Sequence, residues 1–531
     1  MERGQVIRSA GVVGGLTLWS RVLGLVRDIL MASFFGTGLA MSAFVVAFTI
    51  PNLFRRLFGE GAISAAFMPV YIETRDRDGP EQAWLLARRV LTIVGLFLSA
   101  VVVVGIIGIT LYLARPEIGE RAGMILPLLR IMLPYTVFIC MGALCMALLN
   151  AHHYFAISAF APSLLNLIWI ATLVLICPWV GETPEEQIYA VAWAVFGAGL
   201  VQWGVQIPQL RRLGFKPGWQ IETRDPKVRR VFRLMGPASL GMAITQINVL
   251  VDRLMAVWIG PWAPAALFFS ERLIYFPQGI FATALSTVLL PVFSRQAAQI
   301  NHSHMLQTIN HALRNLLYVM IPAAVGLFVL AGPIVHMIFA RGAFGDASTT
   351  FTARALMFYA PGLLIFSLSK VFVPVFYALQ DTRTPVIVAF WTVLLKIALS
   401  LLFILTWPEY WKHAGLALAT VIGETINGGV LAWLLHRRLG SPGWREIGYS
   451  AGRCLAAALG MGVIAWSAHR WLAEWLPQVI RPAGLAQAGA VLTAIGLAVA
   501  AYGLFTWLLG SPEIKSVKDA LARKLARQPS P

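Results

Sequence analysis

The chain has 531 residues, of which 58% are hydrophobic and only 12% are charged, and its mean hydropathy is +0.73. A soluble globular protein carries charge on about 25% of its residues, so this composition excludes a soluble enzyme, a disordered protein and a coiled coil. It predicts an all-α polytopic membrane protein. The net charge of +18 indicates basic cytoplasmic loops and anionic lipid or substrate rather than nucleic acid.

Apolar runs separated by polar or Pro/Gly-containing loops predict about 14 transmembrane helices. We expect no cleavable signal peptide, because charged residues interrupt the first apolar run. The run from 40 to 70 is too long for one straight crossing, so a kink is expected near Pro51 or Gly59–Gly61. The approximate cores of the predicted spans are 7–35, 40–70, 90–113, 124–149, 156–177, 189–210, 232–259, 265–293, 314–332, 351–379, 385–406, 414–435, 450–472 and 484–509.

The loops between these spans differ in their content of basic residues. Alternate loops, counted from the N-terminus and including both termini, contain 25 Lys and Arg residues, whereas the intervening loops contain five. Cytoplasmic loops carry the excess of Lys and Arg. Both termini are therefore expected to be cytoplasmic, which requires an even number of spans.

Several motifs recur in the same order in the two halves of the chain. LVRDILMASFFG, which begins at Leu25, matches LVDRLMAVWIG, which begins at Leu250, and other matches follow at offsets of 222 to 230 residues. Two six-helix lobes with the same orientation would result, an arrangement typical of transporters that bind substrate near the midplane. The further matching pairs are Pro69 with Pro291, Pro134 with Pro361 and Asn150 with Gln380.

This repeat predicts how the chain is divided. The predicted parts are an N-terminal six-helix lobe at 1–212, a C-terminal six-helix lobe at 213–445, two additional helices at 446–510 and a basic cytoplasmic tail at 511–531.

Charged residues interrupt the predicted spans, although each costs about 2.5–3.5 kcal/mol at a helix centre. Such residues are retained where they face a cavity and act on something, but any one of them is explained equally well by snorkelling or by pairing with a neighbouring acid. As a set, their surplus of positive charge suits phosphate, which Arg binds in a bidentate manner. The basic residues are Arg21, Arg27, Arg55, Arg272, Lys370 and Lys396, and the acidic ones are Asp28, Glu60, Asp252 and Glu271.

Catalytic chemistry is not indicated by any motif in the sequence. There is no GxxxxGK[ST] loop for a nucleotide and no motif that pairs a nucleophile with a base. The four cysteines lie in apolar runs without metal-ligand spacing, so they predict neither a disulfide framework nor a metal site. We therefore expect a transporter without a cofactor.

Lys396 lies near the middle of the eleventh predicted span and bears on energy coupling. Its ammonium group could pair with Asp252 or another acid of the second lobe and take the place of a coupling sodium ion. Alternatively, it could snorkel or face the cavity as a further anion contact. Pairing would make transport independent of sodium, with the membrane potential or a proton gradient as the driving force.

The segments SRVLGLVRDILMASFFGTG (20–38) and AFVVAFTIPNLFRRLFGEGAISAAFMPVY (43–71) closely resemble the MurJ/MviN family of bacterial lipid II flippases. The segments ERLIYFPQGIF (271–281), ARGAF (340–344) and KVFVPVFYALQDTRTPV (370–386) also resemble this family, which belongs to the multidrug/oligosaccharidyl-lipid/polysaccharide exporter superfamily. The resemblance covers the whole chain in order, including the two additional C-terminal helices.

The resemblance implies export of the undecaprenyl-pyrophosphate-linked peptidoglycan precursor, lipid II, across the bacterial cytoplasmic membrane by alternating access. It implies that helices 13 and 14 form a groove for the lipid tail, and it makes membrane lipids and cell-wall synthesis enzymes candidate partners. The family's essential cavity arginines correspond by motif to Arg21, Arg27, Arg55 and Arg272, and Asp28 and Glu60 also match motif positions.

Two positions depart from the family pattern, and other functions stay open. Ser42 and Tyr275 stand where relatives often carry an acid, and both changes make the cavity more positive. One alternative is a flippase for another polyprenyl-pyrophosphate-linked glycan, which would share the electrostatics. A cation-coupled drug exporter is disfavoured by the arginine surplus, and a membrane scaffold would leave the buried charges and the repeat unexplained.

Overall fold

The computed structural model describes residues 3–57, 63–298 and 302–514, and within these ranges every regular element is a helix. A helix bonds all of its backbone polar groups within one segment, which a chain surrounded by lipid requires. The predicted all-α polytopic fold class is confirmed, and the chain is a multi-pass membrane protein.

Ten helical segments in the described ranges are long and apolar enough to cross a membrane. An eleventh is obtained if the helices Asp346–Tyr359 and Gly362–Ala378, which meet at a bend of 47°, are counted as one span. The number of 14 spans stays a prediction.

The chain divides into two compact units. The first comprises Met1–Ala265 with Arg341–Phe344, and the second comprises Ala266–Ala340 with Gly345–Pro531. The predicted division into two six-helix lobes, two additional helices and a tail follows the sequence repeat and stays a prediction.

The first unit contains eleven helices and the beginning of a twelfth among its described residues. In chain order they are α1 (Arg3–Phe35), α2 (Leu39–Phe54), α3 (Ile63–Asp78), α4 (Pro80–Leu113), α5 (Glu120–Met132), α6 (Tyr135–Ala151), α7 (Phe155–Ala171), α8 (Cys177–Val180), α9 (Pro184–Gly204), α10 (Ile207–Arg212), α11 (Pro226–Ile259) and the start of α12 (Ala263–Pro277).

The second unit contains the remainder of α12 and the helices that follow it. In chain order these are α13 (Thr283–Ala297), α14 (Ser303–Val329), α15 (Ala331–Phe339), α16 (Asp346–Tyr359), α17 (Gly362–Ala378), α18 (Arg383–Thr406), α19 (Lys412–Leu439), α20 (Trp444–Val479) and α21 (Ala483–Leu508). Wider π-helical turns connect α7 to α8 at Thr172–Ile176 and α12 to α13 at Gln278–Ala282.

The long apolar run from 40 to 70 is broken, as its length requires. Helix α2 ends at Phe54, one turn after the internal Pro51, and a π-helical turn follows at 55–57. Helix α3 begins at Ile63, while Gly59–Gly61 lie outside the described residues. The break places Arg55 just after the end of a helix rather than in its middle.

Equivalent helices in the two units share their internal geometry. Pro134 precedes α6 and Pro361 precedes α17, each in a helical conformation, and both helices have 17 residues. Each helix is followed by a non-glycine residue in the left-handed region, His153 (φ 66°) and Gln380 (φ 59°), at the same offset of 227 residues as the two prolines. The geometry supports the repeat and pairs Gln380 with His153 rather than with Asn150.

The core of the first unit lies between α3, α4 and α6. Phe67 and Tyr71 of α3 pack with Trp84 of α4 and with Leu144 and Leu148 of α6, and all five side chains are buried. Close van der Waals packing of this kind holds membrane helices together, since lipid is as apolar as the side chains.

Candidate substrate-binding site

Arg27, one of the predicted cavity arginines, has an ion pair, a further hydrogen bond and an aromatic contact. Its Nε and Nη2 both donate to Oδ1 of Asp28, at 3.0 and 2.7 Å, and its Nη1 donates to Oδ1 of Asn166 on α7 at 2.9 Å. The guanidinium carbon lies 4.6 Å from the ring centroid of Trp169, within the range of a cation–π interaction. Only 11% of the Arg27 side chain is exposed.

These contacts leave part of the guanidinium available. An Arg side chain has five N–H donors in a planar fork, and the three hydrogen bonds of Arg27 use three of them. The ion pair with Asp28 fixes one edge of the group, and the ring of Trp169 fixes its plane. The remaining donors therefore have a defined direction, which bidentate recognition of phosphate requires.

Asn166 and Trp169, which contact Arg27, have hydrogen bonds and packing contacts of their own. Nδ2 of Asn166 donates to the backbone oxygen of Ser20 at 3.0 Å, which ties α7 to α1. Nε1 of Trp169 donates to the sulfur of Met31 at 3.1 Å, and its ring packs edge-on against Phe44. Such support keeps the rotamers of a binding site in place.

The other two predicted arginines of the first unit differ from Arg27. Arg21 lies on α1 and is exposed. Arg55 is half-buried in the π-helical turn after α2, and its Nε donates to Oδ1 of Asn52 at 2.8 Å. Its neighbour Arg56 donates from Nη1 to Oε1 of Gln246 on α11 at 3.4 Å. The structure thus joins Arg27 with Asp28 and gives Arg55 a separate local partner.

Of the predicted acids Glu60 and Asp252, only Asp252 lies among the residues that the structure describes. Glu60 lies outside the described residues, so its predicted role stays a prediction. Asp252 is half-buried on α11, beside Arg253, which is buried.

Ser42 has a structural role at one of the positions that depart from the family pattern. Its side chain is buried, and its hydroxyl oxygen accepts a hydrogen bond from the backbone nitrogen of Ala265 at 3.2 Å. Ala265 lies in the first turn of α12, where backbone N–H groups have no partner within the helix. The Ser42 hydroxyl therefore provides an acceptor for one of these N–H groups. Tyr275, at the second departure, is exposed.

The predicted charges of α12 lie in the second unit. Arg272 is half-buried, and its guanidinium carbon lies 4.4 Å from the ring centroid of Phe268, one turn earlier. Glu271 accepts a hydrogen bond at 3.2 Å from the hydroxyl of Tyr359 on α16. Aromatic stacking orients Arg272 as it orients Arg27.

The two predicted lysines have contrasting environments. Lys370 on α17 is exposed, whereas Lys396 on α18 is buried, with 3% of its surface accessible. Gly423 of α19 lies against Lys396, because a Cβ atom at 423 would be 3.2 Å from the Lys396 Cβ. The predicted pairing of Lys396 with Asp252 stays a prediction.

Three polar residues inside the apolar helices are absent from the predicted set. Asn166 and Gln246, which contact Arg27 and Arg56, are uncharged. Glu424 of α19 is an acid within an apolar span, and it accepts a hydrogen bond from Nδ2 of Asn427 at 3.3 Å. In the sequence each of them is a single polar residue inside an apolar run, which marks the residue but does not identify its partner.

The sequence model of the family described as "Lipid II flippase MurJ" matches residues 31–484. The chain belongs to the MurJ family. The match extends from the end of α1, across both units, to the start of α21.

Curated members of the MurJ family match over most of their length. The chain is 34% identical over 538 residues to the probable lipid II flippase MurJ of Vibrio cholerae serotype O1, covering 97% of this chain and 98% of that protein. It is 34% identical over 447 residues to the lipid II flippase MurJ of Burkholderia cenocepacia, covering 82% of this chain and 84% of that protein.

Solved structures share the fold. A lipid II flippase MurJ in an inward closed conformation superimposes with a TM-score of 0.75 at 24% identity, covering 94% of this chain and 99% of that chain. An inward-facing multidrug resistance MATE family transporter of the MOP superfamily superimposes with a TM-score of 0.64 at 14% identity, covering 81% of this chain and 98% of that chain. At these identities the similarity concerns the fold alone.

Proposed function

We propose that this member of the MurJ family is a lipid II flippase, a transporter rather than an enzyme. It would move the undecaprenyl-pyrophosphate-linked peptidoglycan precursor across the cytoplasmic membrane by alternating access. Support comes from membership of the family and from two relatives, each 34% identical, whose names state this function. It also comes from a buried and oriented guanidinium group on the first helix.

The geometry of Arg27 is the observation that carries the proposal. Its side chain is 11% exposed and has contacts with Asp28, Asn166 and Trp169 that leave two N–H donors for a ligand. A pyrophosphate offers several charged oxygens, and charge-assisted hydrogen bonds to such groups contribute about 1.5–3 kcal/mol each. In this proposal Arg21, Arg55 and Arg272 are further substrate-binding residues.

The acidic and lysine side chains would balance this positive charge. Asp28 holds the edge of Arg27 that does not meet the ligand. Glu60, Asp252, Lys370 and Lys396 are proposed to tune the charge of the cavity, which must bind the anion and also release it.

The orientation in the membrane follows the distribution of basic residues. We place both termini and the tail at 511–531 in the cytoplasm. The set of alternate loops that includes both termini contains 25 of the 30 Lys and Arg residues counted in the loops, and cytoplasmic loops carry the excess of basic residues. The two lobes, 1–212 and 213–445, would alternate access to the site, while the helices at 446–510 would accommodate the lipid tail. Membrane lipids and cell-wall synthesis enzymes are the further partners of this proposal.

Sodium dependence tests the proposed role of Lys396. If its ammonium group pairs with Asp252, flipping should be unchanged when sodium is replaced by choline. The variant Lys396→Ala should be impaired, and the double variant with Asp252→Asn should recover part of the activity because the unpaired charge is removed. A strong loss of flipping in choline would exclude this role.

Complementation tests the function itself. The gene should restore growth to cells depleted of their own lipid II flippase, and the variants Arg27→Ala and Arg272→Ala should abolish rescue at near-normal protein levels in the membrane. Arg115→Ala is the matched control, because Arg115 stacks on Tyr112 in a loop outside the site. Normal growth with Arg27→Ala would show that this residue is not an essential ligand. Failure of the unaltered gene, expressed in the membrane, would contradict the assignment of lipid II.

A further inference from the structure

Helix α19 has a carboxylate near its middle that the proposed binding of lipid II does not use. Glu424 is the 13th of the 28 residues of α19 and is half-buried. Lys396 occupies a similar central position on α18. An ionisable residue inside a membrane helix is costly and is usually functional.

Helix α19 packs closely against two neighbouring helices on either side of Glu424 in the sequence. On one side, a Cβ atom at Gly423 would lie 3.2 Å from the Lys396 Cβ of α18. On the other side, a Cβ atom at Gly428 would lie 3.8 Å from the Ser369 hydroxyl oxygen of α17. The turn of α19 that contains Glu424 therefore lies where α17 and α18 both approach it.

The side-chain amide of Asn427, one turn after Glu424, has a partner for its nitrogen but not for its oxygen among the described residues. Its Nδ2 donates to Oε2 of Glu424 at 3.3 Å. Its Oδ1 is buried and has no hydrogen-bond partner among the residues that the structure describes. Buried side-chain acceptors are nearly always satisfied, so this oxygen can accept a hydrogen bond that the described arrangement does not supply.

A protonated Glu424 is a donor of the required kind. A carboxylate can only accept hydrogen bonds, whereas a carboxylic acid has one O–H donor. A half-turn of the Asn427 amide would exchange its oxygen and nitrogen and place Oδ1 beside Oε2, a contact between two oxygens that requires a proton between them. The amide of Asn427 can thus serve both protonation states of Glu424 without moving the backbone.

We propose that Glu424, paired with Asn427, is a reversible proton-binding site in the second unit. Its function as a coupling site, in which proton binding and release alternate with the transport cycle, rests on the proposed flippase activity. The proton comes from water and adds to the carboxylate, so the site changes by one charge and no other bond is altered.

Other titratable groups lie on the helices that pack against α19. Lys396 of α18 adjoins Gly423, and Lys370 of α17 is the residue after Ser369. The remaining titratable groups on the helices packed against α19 are Arg383 of α18, Tyr377 of α17, and Asp346, Arg354 and Tyr359 of α16.

Infrared difference spectroscopy on the purified full-length protein in lipid nanodiscs tests proton binding directly. Lowering the pH should produce the C=O band of a protonated carboxyl group. This band should be lost in Glu424→Gln and retained in Glu409→Gln, a control at an exposed acid in the turn before α19. Asn427→Leu should shift the midpoint of the titration without removing the band. A band that is absent from the unaltered protein, or unchanged in Glu424→Gln, would overturn the proposal.

Flipping of lipid II in vesicles tests the coupling. A pH gradient should change the initial rate of the unaltered protein, with a ceiling of about 10-fold per pH unit for one proton per cycle, and should have no effect in Glu424→Gln. An equal response in both proteins would contradict coupling through this residue. Arg27→Ala should lose flipping and keep the infrared band, which separates failure of the proton site from failure of the proposed function.

Discussion

The guanidinium of Arg27 is held by groups from two helices that the sequence separates widely. Asp28 adjoins it in sequence, but Asn166 and Trp169 come from α7, about 140 residues later. An arginine fixed in this way loses less conformational entropy when it binds an anion than a mobile one does. Orientation by α7 thus makes one arginine of α1 better suited to phosphate than its exposed neighbour Arg21.

The hydrogen bond from Arg27 to Asn166 should contribute measurably to affinity. We expect Asn166→Ala to weaken binding of lipid II by about 10-fold to 100-fold, since a hydrogen bond to a charged group contributes about 1.5–3 kcal/mol. Binding can be measured by the quenching of tryptophan fluorescence on titration with lipid II. Ser158→Ala, which removes a buried hydroxyl from the same helix, should have little effect. Equal affinity of Asn166→Ala and the unaltered protein would show that Asn166 does not position Arg27.

At the scale of single residues, the sequence predicted charges better than it predicted their partners. Arg27 and Asp28 stand out because a charge in an apolar run is costly. Asn166 and Asn427 are uncharged and interrupt their runs only mildly, so their roles depend on which helices pack together. That information is tertiary and is absent from the local sequence pattern.

The loop between α15 and α16 is fastened to the end of α1 within the first unit. The backbone nitrogen of Ala343 donates to the backbone oxygen of Ser33 at 2.7 Å. Gly342 has a φ of 57°, and a Cβ atom at this position would overlap the same oxygen. A glycine is therefore required here both by the conformation and by the available space.

Two glycines of this loop form a matched pair of variants. Gly342→Ala should lower the free energy of unfolding by more than about 1–2 kcal/mol, the cost of the left-handed conformation alone, because the clash with Ser33 adds to it. Gly345→Ala should be tolerated, since a Cβ atom at 345 meets no described atom within 4 Å. Thermal unfolding in detergent measures both, and equal midpoints for the two variants would contradict the proposed contact.

Helices α14 and α20 are linked to the segment after α21 through Glu513. Its carboxylate accepts hydrogen bonds from Arg314 of α14 and from Ser450 of α20, each at 2.8 Å, and from Ser511 at 2.6 Å. Burial alone would raise the pKa of Glu513, but the hydrogen bonds from Ser511, Ser450 and Arg314 outweigh it and hold the pKa below its ordinary value. The charged form is thus bound more tightly in the folded protein than in the unfolded chain.

This lowered pKa predicts how stability depends on pH. A carboxyl group with a depressed pKa stabilises the fold above its unfolded pKa, and this contribution is lost as the pH falls through the folded pKa. Glu513→Gln should therefore lower the unfolding midpoint at neutral pH, and its difference from the unaltered protein should vanish in acid. The control Glu446→Gln should show a smaller difference. A difference between Glu513→Gln and the unaltered protein that persists unchanged in acid would contradict this assignment.

At the scale of helices, apolar runs located the elements but not their breaks. Each predicted span coincides with a helix or a pair of helices, because apolar length is a direct requirement of the bilayer. The breaks after Phe54 and at Pro134 and Pro361 depend on prolines and local π-helical geometry. Pro51 and Pro162 lie inside helices that continue past them, so a proline alone does not identify a break.

The whole molecule is predicted to have a defined orientation in the membrane. Reporter fusions at Gly79 and Gly440 should report the cytoplasm, and fusions at Gly119, Gly181 and Gly345 should report the periplasm, because basic residues concentrate in the loops of the first group. Alkaline phosphatase and green fluorescent protein, which are active on opposite sides, provide complementary readouts. A single inverted reporter would contradict the predicted 14 spans.

In the proposed function, the protein moves lipid II and holds its pyrophosphate with Arg27. The most direct measurement reconstitutes the purified protein in vesicles that contain lipid II and follows the fraction of lipid II accessible to an external enzyme over time. The unaltered protein should make lipid II from the inner leaflet accessible, whereas Arg27→Ala should resemble protein-free vesicles and Arg115→Ala should resemble the unaltered protein. Transfer by the unaltered protein no faster than in protein-free vesicles, or full transfer by Arg27→Ala, would contradict the claim.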